Sequence, residues 1–287
     1  MTTVTFDPER LIAMPPIVTE QTLTRRDTIL YALGVGAGQS SSDDLRFVYE
    51  EQLEALPSMA VVLGYPGFWQ MRPEYGIDWQ RVLHAEQSCT FHRTLPVAGK
   101  VRGETAIDAI VDKGSDKGSL LGVTRKIYDI EGDCLLATVR QVSFLRGNGG
   151  HGSFGAEIHP APPIPEVAPD ASVVLGTRPE QALLYRLSGD DNPLHIDPSV
   201  ATAAGFSAPI LHGLCTYGIA GRAILDWGCG GDPSRLKTLA CRFVSPVYPG
   251  EDLRVEMWDL DGSELAFRVI AVNRGTMVLD RGRAAIG

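Results

Sequence analysis

The sequence predicts an α+β protein built from two copies of one fold in tandem, and three observations point to it. Each half of the chain closes on a run of segments with strand character that follows segments with helical spacing. Three short stretches recur in the same order at a slowly drifting offset. Between the halves, residues 147–169 read GNGGHGSFGAEIHPAPPIPEVAP, glycines crowding the first half and prolines the second. Neither a helix nor a central strand suits that composition, whereas a flexible-then-stiff linker does. The expected division is therefore an N-terminal copy over residues 1–146, the linker over 147–169 and a second copy over 170–287.

The repeat rests on three matches. Thr28-Ile29-Leu30-Tyr31-Ala32-Leu33-Gly34 resembles Ala182-Leu183-Leu184-Tyr185-Arg186-Leu187-Ser188. Leu56-Pro57-Ser58-Met59-Ala60 faces Ala208-Pro209-Ile210-Leu211-His212, and Pro96-Val97-Ala98-Gly99-Lys100-Val101 faces Val247-Tyr248-Pro249-Gly250-Glu251-Asp252. In the first copy, VRGETAIDAIVDKG, SLLGVTRKIYDI and CLLATVRQVSFLR alternate as antiparallel strands. In the second, Thr177 and Glu180 have the spacing of a capping box with Pro179 in the first turn, and Leu183, Leu184 and Leu187 share one helical face. Gly189 ends that helix, and Pro193 keeps Asn192 out of the α region, so residues 190–198 form a loop. A second helix is expected over residues 212–225; its Gly213, Gly218 and Gly221 cost helix stability, so something needs them, and the close approach of a wrapping sheet is one such need. Four strand-like segments follow, with Asp261-Gly262 as a hairpin turn.

Composition narrows the function classes. Apolar residues make up 44% and charged residues 21%, the range of a globular protein. A net charge of −9 argues against nucleic-acid binding, which needs clustered Lys and Arg. The same field opposes any polyanionic ligand, so such a ligand needs a local basic patch; Arg25, Arg26, Lys113, Lys117, Lys237 and Arg242 are available. Five cysteines without a CxxC pair fit a reducing compartment and give no zinc signature. With no secretory signal and no transmembrane run, a soluble cytoplasmic protein is expected.

The densest chemistry lies in YRLSGDDNPLHIDPSVATAAGFSAPILHGLCTY, residues 185–217. A carboxylate (Asp190), an amide (Asn192) and an imidazole (His195) sit within six residues on one non-helical loop. A loop can aim all three at one spot, which a helix or strand of that spacing does not. HGL then opens the glycine-containing helix, whose free amide is a place to hold a developing negative oxygen. Asp191 reads as a solvated charge, Asp197 as a cap on the following turn, His212 equally as packing or function, and Cys215 as a small core residue. His195-Ile196-Asp197 has no third ligand at metal spacing, so no metal is expected.

RLSGDDNPLHIDP, AGF and PILHGLCTYG closely resemble the motif of the type-2, R-specific enoyl-CoA hydratases in the MaoC-like dehydratase family. ILYALGVGAG, VLHAEQ, LPVAGK, DKGS and RFVSPVYPGE extend the resemblance over most of the chain. It implies the hotdog fold, a long helix wrapped by an antiparallel sheet in each copy, and hydration of trans-2-enoyl-CoA to (3R)-3-hydroxyacyl-CoA without any cofactor. By the same resemblance Asp190 and His195 form the catalytic dyad, Asn192 orients them and the Gly213 N–H holds the thioester oxygen. His84, Ala85, Lys113 and Phe243 correspond to positions contacting the CoA or acyl part, and Glu50 to a glutamate of the family; Ala85 stands where a glycine is expected. At the repeat offset, Asp190 falls on Gly36 and His195 on Ser41, so one active site per chain is expected, the first copy housing the acyl chain. A homodimer is the expected assembly. The alternatives are a hotdog acyl-CoA thioesterase, against which the D-x-N-P-L-H loop counts, and a non-catalytic acyl-thioester-binding subunit, whose signature would be loss of Asp190 or His195.

Overall fold

The structure, a computed structural model, describes residues 4–39 and 42–287; Ser41 lies outside the described residues. The chain opens with a short helix, α1 (Pro8–Ala13), N-capped by Asp7, then β1 (Ile17–Leu23) and α2 (Arg25–Gly34). Thr24 and Asp27 exchange side-chain and backbone bonds as a capping box that starts α2. Irregular chain with short 3-10 turns follows, and then β2 (Val82–Phe91), β3 (Gly99–Asp112), β4 (Ser119–Asp129) and β5 (Cys134–Leu145). After the two-residue β6 (Phe154–Gly155) the second copy runs β7 (Ala171–Gly176), α3 (Gln181–Tyr185), α4 (Pro198–Ala203) and α5 (Gly213–Cys229). It closes with β8 (Leu236–Phe243), β9 (Asp252–Asp259), β10 (Glu264–Ala271) and β11 (Thr276–Ile286).

All strands join one antiparallel sheet in the order β1-β3-β4-β5-β2-β8-β11-β10-β9-β7, with β6 paired to β3. The halves mirror each other: the second five strands take the places of the first five, and β2 pairs with β8 at the seam. There Ser88 lies opposite Ala240, a separation equal to one of the repeat offsets, so the pseudo-twofold passes between them. Tyr31 and Tyr185, matched by the repeat, meet across it with ring centroids 6.0 Å apart. This is the tandem hotdog expected from the resemblance. One buried core draws Leu23, Leu63 and Val139 from the first copy together with Tyr217, Leu239 and Phe267 from the second.

Contacts between the copies are polar as well as apolar. The carbonyls at the end of α2 meet donors from the second copy: Gln181 Nε2 donates to Leu33 O and Gly34 O, Cys215 Sγ to Gly34 O, and Arg222 Nη1 to Val35 O. Arg222 also forms a buried ion pair with Asp44. The glycines of α5 serve this approach. A Cβ on Gly218 would lie 2.5 Å from Val35 Cγ1 and 2.9 Å from Tyr31 Oη, and one on Gly221 would lie 3.1 Å from Leu239 Cδ2. The sheet is thus the neighbour at Gly221, and the first copy's helix is the neighbour at Gly218.

Four expectations are corrected. A long central helix exists in the second copy alone; where the first copy would carry its equivalent, a 3-10 turn (Pro57–Val61) gives way to irregular chain. Pro66 and Pro73 remove donors there, and Gly64, Gly67 and Gly76 adopt positive φ, so a helix is not sustained. The capping box at residues 177–180 does not form: α3 begins at Gln181 without a side-chain cap. Thr177 Oγ1 instead donates to Glu251 O and accepts from Gly250 N, because its backbone already pairs beside β9. The helix expected over residues 212–225 continues past Leu225 to Cys229, until Gly230 turns left-handed at φ +60°. Finally, the glycine-rich half of residues 147–169 is not a free tether. Asp112 accepts from Gly150 N and Gly152 N, Ser119 Oγ donates to Asn148 O, and β6 pairs with β3. The proline half lies on the other copy, where Arg281 holds Ala161 O, Arg283 holds Pro163 O and Trp258 Nε1 holds Val167 O. Among the described residues no helix is long and apolar enough to cross a membrane.

Because alanine is favoured over glycine by about 1 kcal/mol in a helix interior, Gly218→Ala would stabilise a free helix. Here the collision with Val35 and Tyr31 dominates, and a net loss of about 1–3 kcal/mol is expected, read as a lower urea midpoint.

Candidate active site

The loop after α3 is shaped by its own backbone chemistry. Gly189, at φ +112°, ends the 3-10 turn that extends α3. Asn192 Oδ1 accepts from Leu194 N at 3.1 Å, capping a further 3-10 turn (Pro193–His195) with Pro193 at its first position. That turn carries His195 inward until it is 9% exposed. Asp197 then caps α4 by accepting from Ser199 N, as expected.

Two backbone carbonyls fix the imidazoles. His195 Nδ1 lies 2.8 Å from Ile210 O, so Nδ1 carries the proton and Nε2 keeps its lone pair. His212, the residue before α5, lies with Nε2 3.1 Å from Asp190 O, while its ring stacks on His195 at 3.7 Å. It thereby ties the backbone of the acidic residue to the entry of the helix. The ligand-type atoms of Asp190, His195 and His212 all lie within 4.8 Å of one another. Fold, rather than spacing, brings His212 to this group as a possible third metal ligand. However, the two rings are inclined by only 29°, so their lone pairs run side by side more than they converge. One nitrogen of each ring is already held by a carbonyl.

Burial acts on the charged forms in opposite directions. It raises the pKa of Asp190, against the pull of a charged His195, and lowers that of His195. The pair is therefore biased towards a protonated acid beside a neutral imidazole. His212 is pushed down to about 3 by burial and by His195, and Tyr65, beside Asp190, is pushed up to about 12 by burial.

Asp190, His195 and Tyr65 open on a cleft of about 420 Å³ with walls from both copies. Asp190, Asn192, His195 and Gly213 line it from the second copy, and Tyr65, His84 and Gln141 from the first. Gly213 is the first residue of α5, where helix geometry leaves the N–H without an intrahelical acceptor. A Cβ there would sit 3.1 Å from the Phe243 ring, so a side chain would crowd the approach to that N–H.

Comparison with known proteins shows the family. The family model described as MaoC like domain matches residues 161–281, and that described as MFE-2 hydratase 2 N-terminal domain matches residues 21–147. A 3-hydroxyacyl-thioester dehydratase Y of Mycobacterium tuberculosis is 41% identical over 268 residues, 90% of this chain and 91% of that protein. The chain belongs to the MaoC-like dehydratase family. A peroxisomal enoyl-CoA hydratase 2 of Arabidopsis thaliana is 38% identical, over 96% of this chain and 94% of its own. The crystal structure of a MaoC-like dehydratase from Phytophthora capsici superposes with a TM-score of 0.88 at 35% identity, covering 97% of this chain and 98% of that one.

Among the remaining residues that the MaoC-like motif suggested, His84 and Phe243 meet in the cleft, ring centroids 4.6 Å apart. Ala85 is the extra residue of a β-bulge between His84 and Glu86 in the β2–β5 ladder. Lys113 is exposed at the β3–β4 hairpin and Glu50 is exposed in a 3-10 turn, both outside the cleft lining. Gly36, matched to Asp190 by the repeat, has φ +83° and faces Arg222 and Gln39. Tyr65, Gln141 and Arg125 escaped the sequence reading. Their signal was faint: polar residues on the inward, otherwise apolar face of alternating strands, or in an irregular stretch.

His212 makes stability depend on pH. Its pKa is depressed when folded, so between pH 6.5 and about 3 the unfolded chain binds a proton that the folded one refuses. Stability should fall with pH through that window, by up to about 1.4 kcal/mol per unit from this group. The gap between urea midpoints at pH 7 and pH 4.5 should narrow in His212→Gln, leaving the part due to His84 and His195, whose pKa values burial also lowers.

Proposed function

We propose that this protein adds water to trans-2-enoyl-CoA thioesters to give (3R)-3-hydroxyacyl-CoA, and catalyses the reverse dehydration. The observation that carries the reading is the Asp190–His195 pair, within 4.8 Å, on a shared cleft wall beside the free N–H of Gly213. The thioester oxygen accepts from Gly213 N–H as negative charge grows on it, help typically worth roughly 3 kcal/mol. His195 Nε2 takes a proton from water as its oxygen bonds to C3, and protonated Asp190 gives its proton to C2. His195 then returns the proton it took to Asp190, restoring both groups. Asn192 has Oδ1 engaged with Leu194 N, which leaves its amide donors to hold the water. Every step is a proton transfer or an addition, so the reaction asks for no cofactor or metal.

The acyl chain runs from the dyad into the first copy, where irregular chain replaces a helix and leaves space lined by Val61, Val62, Trp69, Val123 and Val139. Ala85, Lys113, Phe243 and His84 serve the CoA and acyl parts, and Glu50 acts from outside the cleft. The five free cysteines suit a reducing, cytoplasmic compartment, and hotdog sheets suit pairing into a homodimer.

With crotonyl-CoA, enoyl absorbance should fall without release of free thiol, and the product should be the R alcohol. Asp190→Asn and His195→Asn should each lower kcat by about 10²–10⁴-fold while the folding transition persists. Free thiol as the product would instead make the protein a thioesterase.

A further inference from the structure

Past Asp190 the cleft continues into a chamber of about 80 Å³, room for the end of a chain rather than for a long alkyl tail. Its wall is more polar than an alkyl end requires. Arg125 of β4 and Thr105 of β3 line it, 6% and 4% exposed. Arg125 Nη2 donates to Val61 O at 2.6 Å and to Ala60 O at 3.5 Å, its guanidinium lies 5.3 Å from the Tyr65 ring centroid, and its Nε meets no acceptor among the described residues. Thr105 Oγ1 and His84 Nε2, on the same chamber, also lack partners among the described residues.

The arginine has no counter-ion. Among the described residues its side chain enters no ion pair with a carboxylate. The titratable groups that act on it are Tyr65 and Cys89, which burial pushes up to about 12 and about 11, so both are neutral at physiological pH. A buried guanidinium without an anion is costly to keep, and bracing the two carbonyls that end a 3-10 turn does not by itself require a charge there. A ligand anion placed against the fork would supply what the protein does not.

We propose that this chamber receives the far end of a short acyl chain that ends in a carboxylate, with Arg125 as its counter-ion and the Thr105 hydroxyl as a second donor. The substrate class is then the trans-2-enoyl-CoA monothioester of a dicarboxylic acid, a deepening that rests on the hydratase reading above. Asp190 in its protonated form does not repel such a chain as it passes.

The test compares carboxyl-ended with methyl-ended trans-2-enoyl-CoAs of equal length on the full-length protein, with crotonyl-CoA alongside. Over lengths of about five to eight carbons, kcat/KM for the carboxyl-ended member should exceed that of its methyl-ended twin by roughly tenfold or more at one length at least. Arg125→Leu should invert that ratio and Arg125→Lys should keep part of it. A preference for the methyl end at every length, or an Arg125→Leu variant that loses both activities in equal measure, overturns the proposal. The wild-type comparison decides by itself if the variants do not fold. Absence of crotonyl-CoA hydration would remove the hydratase reading and this one together, whereas hydration of crotonyl-CoA without carboxylate preference removes this one alone.

Discussion

Five consecutive residue pairs between β2 and β8 turn two half-sheets into one, and the placement of everything else follows from them. Because Ser88 sits opposite Ala240 on the pseudo-twofold, the helical segments of both copies are brought back to back on one side of the seam. The α2 carbonyls then find their donors in Gln181, Cys215 and Arg222 rather than in water. Loss of either member of the Arg222–Asp44 pair would leave a buried charge uncompensated, typically a cost of about 3–5 kcal/mol. The two copies are therefore one cooperative body, and a cleft between them can be a fixed shape.

That fixed shape is what the chemistry needs. The acid–base roles proposed for Asp190 and His195 need each group in its neutral form, and burial drives both that way. The carbonyl of Ile210 settles which nitrogen of His195 is free, and His212 holds the Asp190 backbone while stacking on the same ring. The acid, the base and the helix N-terminus are thus locked to each other by backbone contacts that do not depend on the substrate.

The sequence disclosed the parts of this arrangement that are local. The loop expected over residues 190–198 is there up to Asp197, with a 3-10 turn inside it and α4 already begun at Pro198; Asp197 caps α4, Asp261-Gly262 turns a hairpin whose amides Asp261 gathers, and each segment with strand alternation is a strand. What it hid depends on distant partners. Thr177 has the spacing of a cap, but its hydroxyl is claimed by Glu251 and Gly250 on the neighbouring strand connection. His212 joins His195 because the chain returns through residues 204–211 to the same point, a closure that no spacing rule expresses. Tyr65 comes from irregular chain and Arg125 and Gln141 from two strands, and only the folding of the first copy makes them neighbours of Asp190. The glycines at 147–152 look like slack, yet the carboxylate of Asp112 gathers their amides.

The strap over residues 147–169 has a further implication. Up to Ala156 it is bonded to the first copy, and from Ala161 onward to the second, leaving 157–160 as the stretch that crosses between owners. A chain divided there would yield two polypeptides, each keeping its own five strands and its own share of the strap. Their surviving bonds would be the β2–β8 seam, the core beneath it and the contacts of Gln181, Cys215 and Arg222 with the first copy. Tandem fusion, in that light, guarantees that a subunit with a helix always meets one whose helix has been given up for space.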